Sequence, residues 1–462
     1  MAGSNHNATR NPTEFQVTKG NPSLVPPAES REKGSVYFLS NVDDVFCIIR
    51  IVYCFKSDRR RGNDCAAEVI RDALGKVLVH YYPMAGRLVL SPEGKPSVNC
   101  SGEGVVFVEA EADCALEDVD FSRPFDRFAR EKLVVYDLPG VPDKFEIPLI
   151  AQVTRFKCGG FVVGISFNHL LGDGQAIAEF VNSWGETARG LPLSVPPFLD
   201  RTILRSRTPP KIEFRHSEFE PLQQHKSSAA AAEEITTHCS YIRLTPEMIK
   251  RAKSNAIGAT LTNHYSTYEA IFAFAWRARN RALKTVPDQL TRLLLVVNTR
   301  AKFEPPLPKG YFGNALNFAA AHSLAGDLLE NPVSYAAAKI REAIGRVSDR
   351  RLRSAIDYCE VMTRANKRRP SGYGKMVATA MSRLPFSVAD FGWGKPISCQ
   401  LVEPPSDDNM VLFDHPTEKG SLILFIALPG QAMVRFERLV EEQLCHPLNV
   451  TCGIRGLAPC RL

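Results

Sequence analysis

The residues best placed to do chemistry lie in the run Phe167-Asn168-His169-Leu170-Leu171-Gly172-Asp173-Gly174. An apolar, strand-like stretch ends at a histidine, a short turn follows, and a helical pattern begins after Gly174. A histidine at the end of a rigid strand can take a proton from an incoming hydroxyl, because its unperturbed pKa lies near neutrality. Asp173, four residues on, is placed to orient that histidine or to hold the turn. HxxxD also recurs by chance, and a strand-end histidine satisfied by its neighbours would give the same pattern. A second compact feature is Asp390-Phe391-Gly392-Trp393-Gly394, which holds one of only three tryptophans. Alone it reads as a tight turn in which glycine supplies positive φ and tryptophan packs. No GxSxG elbow supplies a serine nucleophile.

The elements that must position these groups follow from hydrophobic periodicity. Val45 to Tyr53 is a buried strand, and Ala66 to Val79 has helical spacing. Leu149–Phe156 and Gly160–Asn168 form a hairpin around Lys157-Cys158-Gly159, ending at His169, and Ala176–Arg189 is helical. Leu191 to about Glu234 carries six prolines and a Ser/Ala run, so it reads as a long connection. Beyond it, Cys239–Leu244 is a strand and Pro246 opens a helix at the favoured first position. Ser266-Thr267-Tyr268-Glu269 is a capping box for the next helix. Leu293–Asn298, Val377–Ser382 and Leu422–Leu428 are strands; Pro332–Val347, Leu352–Thr363 and Gln431–Glu442 are helices. This mixture predicts an α/β protein of two similar-sized domains. Residues 1–205 carry HxxxD, 206–235 are a crossover linker, and 236–462 carry DFGWG, with a disordered tail expected after 444.

Composition narrows the classes. The chain has 462 residues, 44% hydrophobic and 23% charged, with a net charge of +7. That is ordinary globular composition and too mild a basic excess for a nucleic-acid binder. The longest compact apolar run, Leu422–Leu428, is far short of the roughly 20 residues that span a bilayer. The polar start lacks a secretory apolar segment, so a cytoplasmic protein is expected. The twelve cysteines show no CxxC pair and no zinc-like spacing; they read as reduced thiols, and no metal site is expected.

Taken together, HxxxDG and DFGWG, 217 residues apart, resemble the signatures of the plant BAHD acyltransferases. Supporting stretches are His80-Tyr81-Tyr82-Pro83-Met84-Ala85-Gly86-Arg87-Leu88, Gly102-Glu103-Gly104-Val105 and Lys309-Gly310-Tyr311-Phe312-Gly313-Asn314. The resemblance spans about Phe15 to Leu444. It implies a chloramphenicol acetyltransferase-like fold with mixed sheets and a channel between two domains. It also implies direct acyl transfer from a CoA thioester to an alcohol, with acyl-CoA as co-substrate, no cofactor, and a monomeric enzyme.

Residue by residue, the resemblance makes His169 the general base. Asp173 becomes a structural partner of Arg300, beside Gly174. Asp390 is a candidate second proton acceptor, though anchoring its loop with Gly392, Trp393 and Gly394 is the favoured role. Lys250, Lys253, Ser266 and Thr267 are placed at CoA. Pro197-Phe198-Leu199-Asp200-Arg201-Thr202-Ile203-Leu204 and Arg300-Ala301-Lys302-Phe303-Glu304-Pro305 are similar to the branch that feruloylates ω-hydroxy fatty acids. That branch implies hydroxycinnamoyl, chiefly feruloyl, transfer to an ω-hydroxy fatty acid or fatty alcohol, giving suberin or cutin precursors. The rival acceptor is shikimate or quinate, and a non-catalytic ligand-binding member is the other alternative. Leu170-Leu171-Gly172 departs from that branch, where the spot is bulkier.

Overall fold

The computed structural model describes residues 15–29, 34–57, 62–92, 94–119, 131–135, 145–222, 237–257, 264–364, 375–402 and 409–445. Two large mixed sheets carry the fold, with a small three-stranded sheet beside them. The first runs in the order Val17–Lys19, Val105–Ala112, Leu149–Arg155, Phe161–Asn168, Ile48–Phe55, Ser398–Leu401, with Ser23–Val25 also paired to Val105–Ala112. All eight residues of Phe161–Asn168 are buried. This strand sits between two antiparallel neighbours, which suits its run of aromatic and β-branched side chains. His169 follows directly and therefore leaves a rigid, central strand.

The helix Gly174–Ala188 starts where Asp173 caps it, with its carboxylate accepting from the N–H groups of Gln175 and Ala176. Ile177, Phe180, Val181 and Trp184 recur at helical spacing and are all buried. They pack with the helix Ala66–Val77 onto the first sheet.

The second sheet runs Thr237–Leu244, Leu422–Pro429, Asn409–Asp414, Lys375–Ala380, Leu290–Asn298, Leu316–Leu324. Helices Pro246–Ile257, Thr267–Ala282, Val333–Gly345 and Gly430–Val440 share one core with it. The expected elements recur with shifts of a few residues at their ends. Leu316–Leu324, Asn409–Asp414 and Ser398–Leu401 are strands that the periodicity did not announce.

Two features bear on the domain layout. The stretch 236–462 is not self-contained, because Ser398–Leu401 crosses over and pairs with Ile48–Phe55 as an edge of the first sheet. The near part of the expected linker is docked, not free. Arg207 donates through its backbone N and Nε to Asp357 at 2.8 and 2.6 Å, and His216 Nε2 lies 2.9 Å from Ser354 Oγ. Both partners belong to the helix Asp349–Arg364. Residues 223–235 of that linker, residue 236 and the tail after Cys445 lie outside the described residues. Among the described residues, no helix is long and apolar enough to cross a membrane.

Candidate active site

His169 begins a single 3-10 turn, His169–Leu171, fixed from several sides. Its backbone N–H donates to the Cys47 carbonyl at 2.9 Å. Asn168 Oδ1 accepts from the Leu170 N–H at 3.1 Å. Behind the turn, Arg201 and Asp43 form an ion pair at 3.1 Å with both side chains fully buried. The Arg201 guanidinium also donates to the carbonyls of Leu170, Leu171 and Phe312. Asn314 donates to Asp43 through its backbone N at 2.8 Å and to the His169 carbonyl through Nδ2 at 2.7 Å. A charge pair this deeply buried holds only because its hydrogen bonds are satisfied. Here it clamps the main chain that presents the histidine.

Sequence reasoning quoted the stretches holding Arg201 and Asn314 but gave neither residue a role. The available signal was a long identity in loop and linker, where the fold alone imposes little.

Asp173 faces Arg300 in a two-pronged pair, with Nη1 to Oδ2 at 2.8 Å and Nη2 to Oδ1 at 3.0 Å. The Ala315 N–H donates to Oδ2 at 3.0 Å, and the cap bonds from Gln175 and Ala176 fill Oδ1. Burial alone would raise this carboxyl's pKa, but Arg300 and the backbone donors hold it below the usual carboxylate value. Every oxygen is engaged, and the pair ties the helix after the histidine to the second sheet.

Two cavities meet at His169. The larger, about 510 Å³, is walled by Asp173, Gly174, Arg300, Ser266 and Thr267, and by apolar side chains such as Ile51, Phe167, Leu384 and Phe386. The smaller, about 220 Å³, is walled by the 41–47 segment, Phe303, Phe318 and the helix Asp349–Arg364. His169, Val296, Leu316 and Thr379 line both. Burial pushes the imidazole pKa below the ordinary 6.5, and the charges of Asp173 and Asp43 pull the other way without overturning it. The ring is therefore neutral near pH 7 and able to accept a proton.

Ser266 caps the helix Thr267–Ala282 in a reciprocal box. Its Oγ accepts from the Glu269 N–H at 3.2 Å, and Glu269 Oε2 accepts from the Ser266 N–H at 2.7 Å. That helix start lines the larger cavity, where its backbone dipole favours an anionic or strongly polar ligand. Lys250 and Lys253 sit on the helix Pro246–Ile257, outside the wall of either cavity.

The Asp390 loop stands apart. Asp390 Oδ1 accepts from the N–H groups of Gly392 and Gly394 at 2.8 and 3.0 Å, and Arg189 lies 3.5 Å from Oδ2. Gly392 and Gly394 adopt φ of 104° and 83°, which a side chain would strain. The Trp393 indole N–H donates to the Gly62 carbonyl at 2.5 Å, and its ring meets Phe161 edge-on. Phe391 packs edge-on against both Phe55 and Trp184. A Cβ on Gly185 would fall 2.6 Å from the Asp390 carbonyl, so the loop is pressed against the helix Gly174–Ala188. Neither Asp390 nor Trp393 lines a cavity that His169 reaches. Asp390 Oδ1 thus closes the turn of its own loop.

Comparison with known proteins bears on the family and the fold. The model described as the Transferase family matches residues 15–443. The chain is 47% identical to omega-hydroxypalmitate O-feruloyl transferase of Arabidopsis thaliana, covering 95% of each chain. It is 44% identical to fatty alcohol:caffeoyl-CoA acyltransferase of the same species, covering 93% of this chain and 99% of the relative. The crystal structure of vinorine synthase shares the fold at a TM-score of 0.73 and 21% identity, covering 93% of this chain and 98% of that one.

Proposed function

We propose, from the premise that this chain belongs to the BAHD transferase family, that it moves a hydroxycinnamoyl group, chiefly feruloyl, from CoA to the hydroxyl of an ω-hydroxy fatty acid or fatty alcohol. One observation carries the mechanism. Of the four side chains lining both cavities, His169 alone carries a titratable group, and burial, which lowers its pKa, favours the neutral ring. It takes the proton of the acceptor hydroxyl as that oxygen attacks the thioester carbonyl. The new C–O bond forms, the C–S bond breaks, and the imidazolium returns its proton to the departing CoA thiolate. Holding both substrates at one histidine supplies much of the acceleration, and general-base catalysis adds on the order of 10²–10⁴-fold. No covalent enzyme intermediate, metal or prosthetic group is required by this balance.

In this reading the larger cavity takes the pantetheine arm, with the start of the helix Thr267–Ala282 offering Ser266 and Thr267 as polar contacts. Lys250 and Lys253, outside the wall, are left for the outer phosphates of CoA. Asp173 and Arg300 position the helix behind the base, and Asp390 anchors its own loop. The acyl and acceptor classes rest on the two named relatives above.

The test is a competition read by mass spectrometry, offering feruloyl-, coumaroyl- and caffeoyl-CoA with 16-hydroxypalmitate, a fatty alcohol, shikimate and quinate together. Dominant feruloyl esters of a long-chain acceptor are expected. Dominant shikimate or quinate esters would overturn the acceptor assignment and leave the base and CoA chemistry standing.

A further inference from the structure

The walls of the smaller cavity differ in how they are held. One is the second sheet, through Val296, Leu316, Phe318, Val377 and Thr379. Another is His169 with the 41–47 segment, whose Asp43 is locked to Arg201. A third is the helix Asp349–Arg364, with Phe219 beside it. Leu352, Ala355, Ile356 and Cys359 of that helix recur at helical spacing and present one apolar face to the cavity. At ~1.5 Å per residue this face runs about 10 Å along the chamber. Among the described residues, none of this helix walls the larger cavity.

The polar bonds that place the helix lie off its cavity face. On the opposite face, Ser354 Oγ accepts from the N–H groups of Glu213 and Phe214 at 2.9 and 3.3 Å, beside the Asp357 bonds to Arg207. On its flank, Glu360 crosses the seam between the two large sheets. Lys95 Nζ lies 2.7 Å from each Glu360 carboxylate oxygen. Asn41 Nδ2 donates to Glu360 Oε2 at 3.0 Å and to the Ile356 carbonyl at 3.1 Å. Lys95 directly precedes the strand Pro96–Asn99 of the small sheet, which packs into the core of the first large sheet through Leu88 and Val98. Asn41 itself walls the cavity. The Glu360 carboxylate is buried and Lys95 is partly exposed. A charge-assisted pair, stronger than a neutral hydrogen bond, therefore ties the third wall to the side of the seam that carries His169.

We propose that Glu360 is a positioning residue for the alcohol acceptor. Joined to Lys95 and Asn41, it holds the helix Asp349–Arg364 so that its apolar face lies along the acceptor's methylene chain. This rests on the reading of the site as a CoA-dependent transferase in which pantetheine fills the larger cavity. Two cavities that meet at one base then leave the smaller for the second substrate. No helix side chain on the cavity face is charged, which suits a hydrocarbon chain. A wall that recedes by a fraction of an ångström forfeits dispersion contact along the whole chain. That contact is made equally in the ground state and the transition state, so its loss reads in KM and not in kcat.

The experiment measures KM for 16-hydroxypalmitate at saturating feruloyl-CoA, and KM for feruloyl-CoA at saturating 16-hydroxypalmitate. It does so in the parent, Lys95→Met, Glu360→Gln and the double variant. Each single change should raise the acceptor KM on the order of 10-fold, the worth of one hydrogen bond to a charged group. The donor KM and kcat should stay at parental values. The double variant should be no worse than either single change, because both remove the same pair. An unchanged acceptor KM, an equal rise in both KM values, or additive single effects overturn the proposal. A rise confined to the donor KM would put the acyl group in the small cavity and overturn it equally. Lys95→Met alters a partly exposed side chain, so if the Glu360 variants fail to fold, its two KM values alone decide. If the parent turns over no hydroxycinnamoyl-CoA with any alcohol, the transferase reading itself falls and this assignment with it. Each of the other failures leaves that reading intact.

Discussion

HxxxDG and DFGWG are equally compact in the sequence, yet the structure puts them to different uses. The first lines both cavities with its histidine and turns its aspartate inward to a cap and an arginine. The second reaches neither cavity; it closes a turn with its own aspartate and wedges aromatic rings under the helix Gly174–Ala188. The contrast teaches that a dense motif of Asp, Gly and Trp can be a brace. What separates the roles is where the polar atoms are spent. Every polar side-chain atom of Asp173 and the indole of Trp393 are engaged by protein, while His169 Nδ1 has no partner.

The sharpest test of that division is His169→Ala. It should lower kcat on the order of 10²–10⁴-fold, with the melting temperature close to that of the parent. Steady-state rates beside a thermal melt read both. The pH profile sharpens the same point. Because burial depresses this imidazole below 6.5, the active, neutral form persists through pH 7 and below 6.5. The limb of kcat/KM should therefore fall only as pH drops through that depressed value. A limb above 6.5 would assign the rate to some other group.

Asp173→Asn should act through the fold. It leaves the Arg300 guanidinium, only 12% exposed, without its counter-charge, and breaking such a pair costs about 3–5 kcal/mol. Denaturant melts should show that loss at pH 7. The aspartate's contribution is present above the unfolded pKa near 3.8 and disappears as pH falls through the depressed folded value, so parent and variant should converge in acid. A variant with parental stability and no turnover would move Asp173 into the chemistry and break the comparison.

Asp390→Ala removes the acceptor for two turn N–H groups, a loss of about 1–3 kcal/mol in stability, with kcat of the folded fraction retained. Melting and active-site-normalised rates separate the two effects. A drop in kcat as large as that of His169→Ala, at unchanged stability, would make Asp390 a proton carrier after all.

Much of this was legible beforehand, for identifiable reasons. The strand Phe161–Asn168, the capped helix after it and the Ser266 box carry strong local signals: an unbroken apolar run, an N-cap aspartate, a Ser-x-x-Glu. Arg300 follows a recognisable strand, and in the structure it pairs with Asp173. The strand Leu316–Leu324 was missed because Ala319, Ala320 and Ala321 favour no strand; pairing with Leu290–Asn298 decides it. The crossing of Ser398–Leu401 was missed because four residues carry too little pattern to reveal a partner 344 to 350 positions away. The Asp43–Arg201–Asn314 clamp was invisible for a similar reason. Its three members come from separate loops, and only the closed fold makes them one buried network.

The smallest expected effect belongs to Trp393→Phe, and it decides the brace reading most directly. The substitution keeps a ring against Phe161 and deletes the indole N–H that donates to the Gly62 carbonyl. Losing one such bond costs about 0.5–1.5 kcal/mol of stability. If the motif is a brace, kcat with saturating substrates stays at the parental value. If instead that N–H turned toward the developing oxyanion during the reaction, its removal would cost on the order of 10²–10³ in kcat with little change in melting. The two accounts thus predict opposite patterns in rate and melting. The 2.5 Å bond to Gly62 favours the first, because a donor so held would have to break that part-buried bond before it could serve the oxyanion.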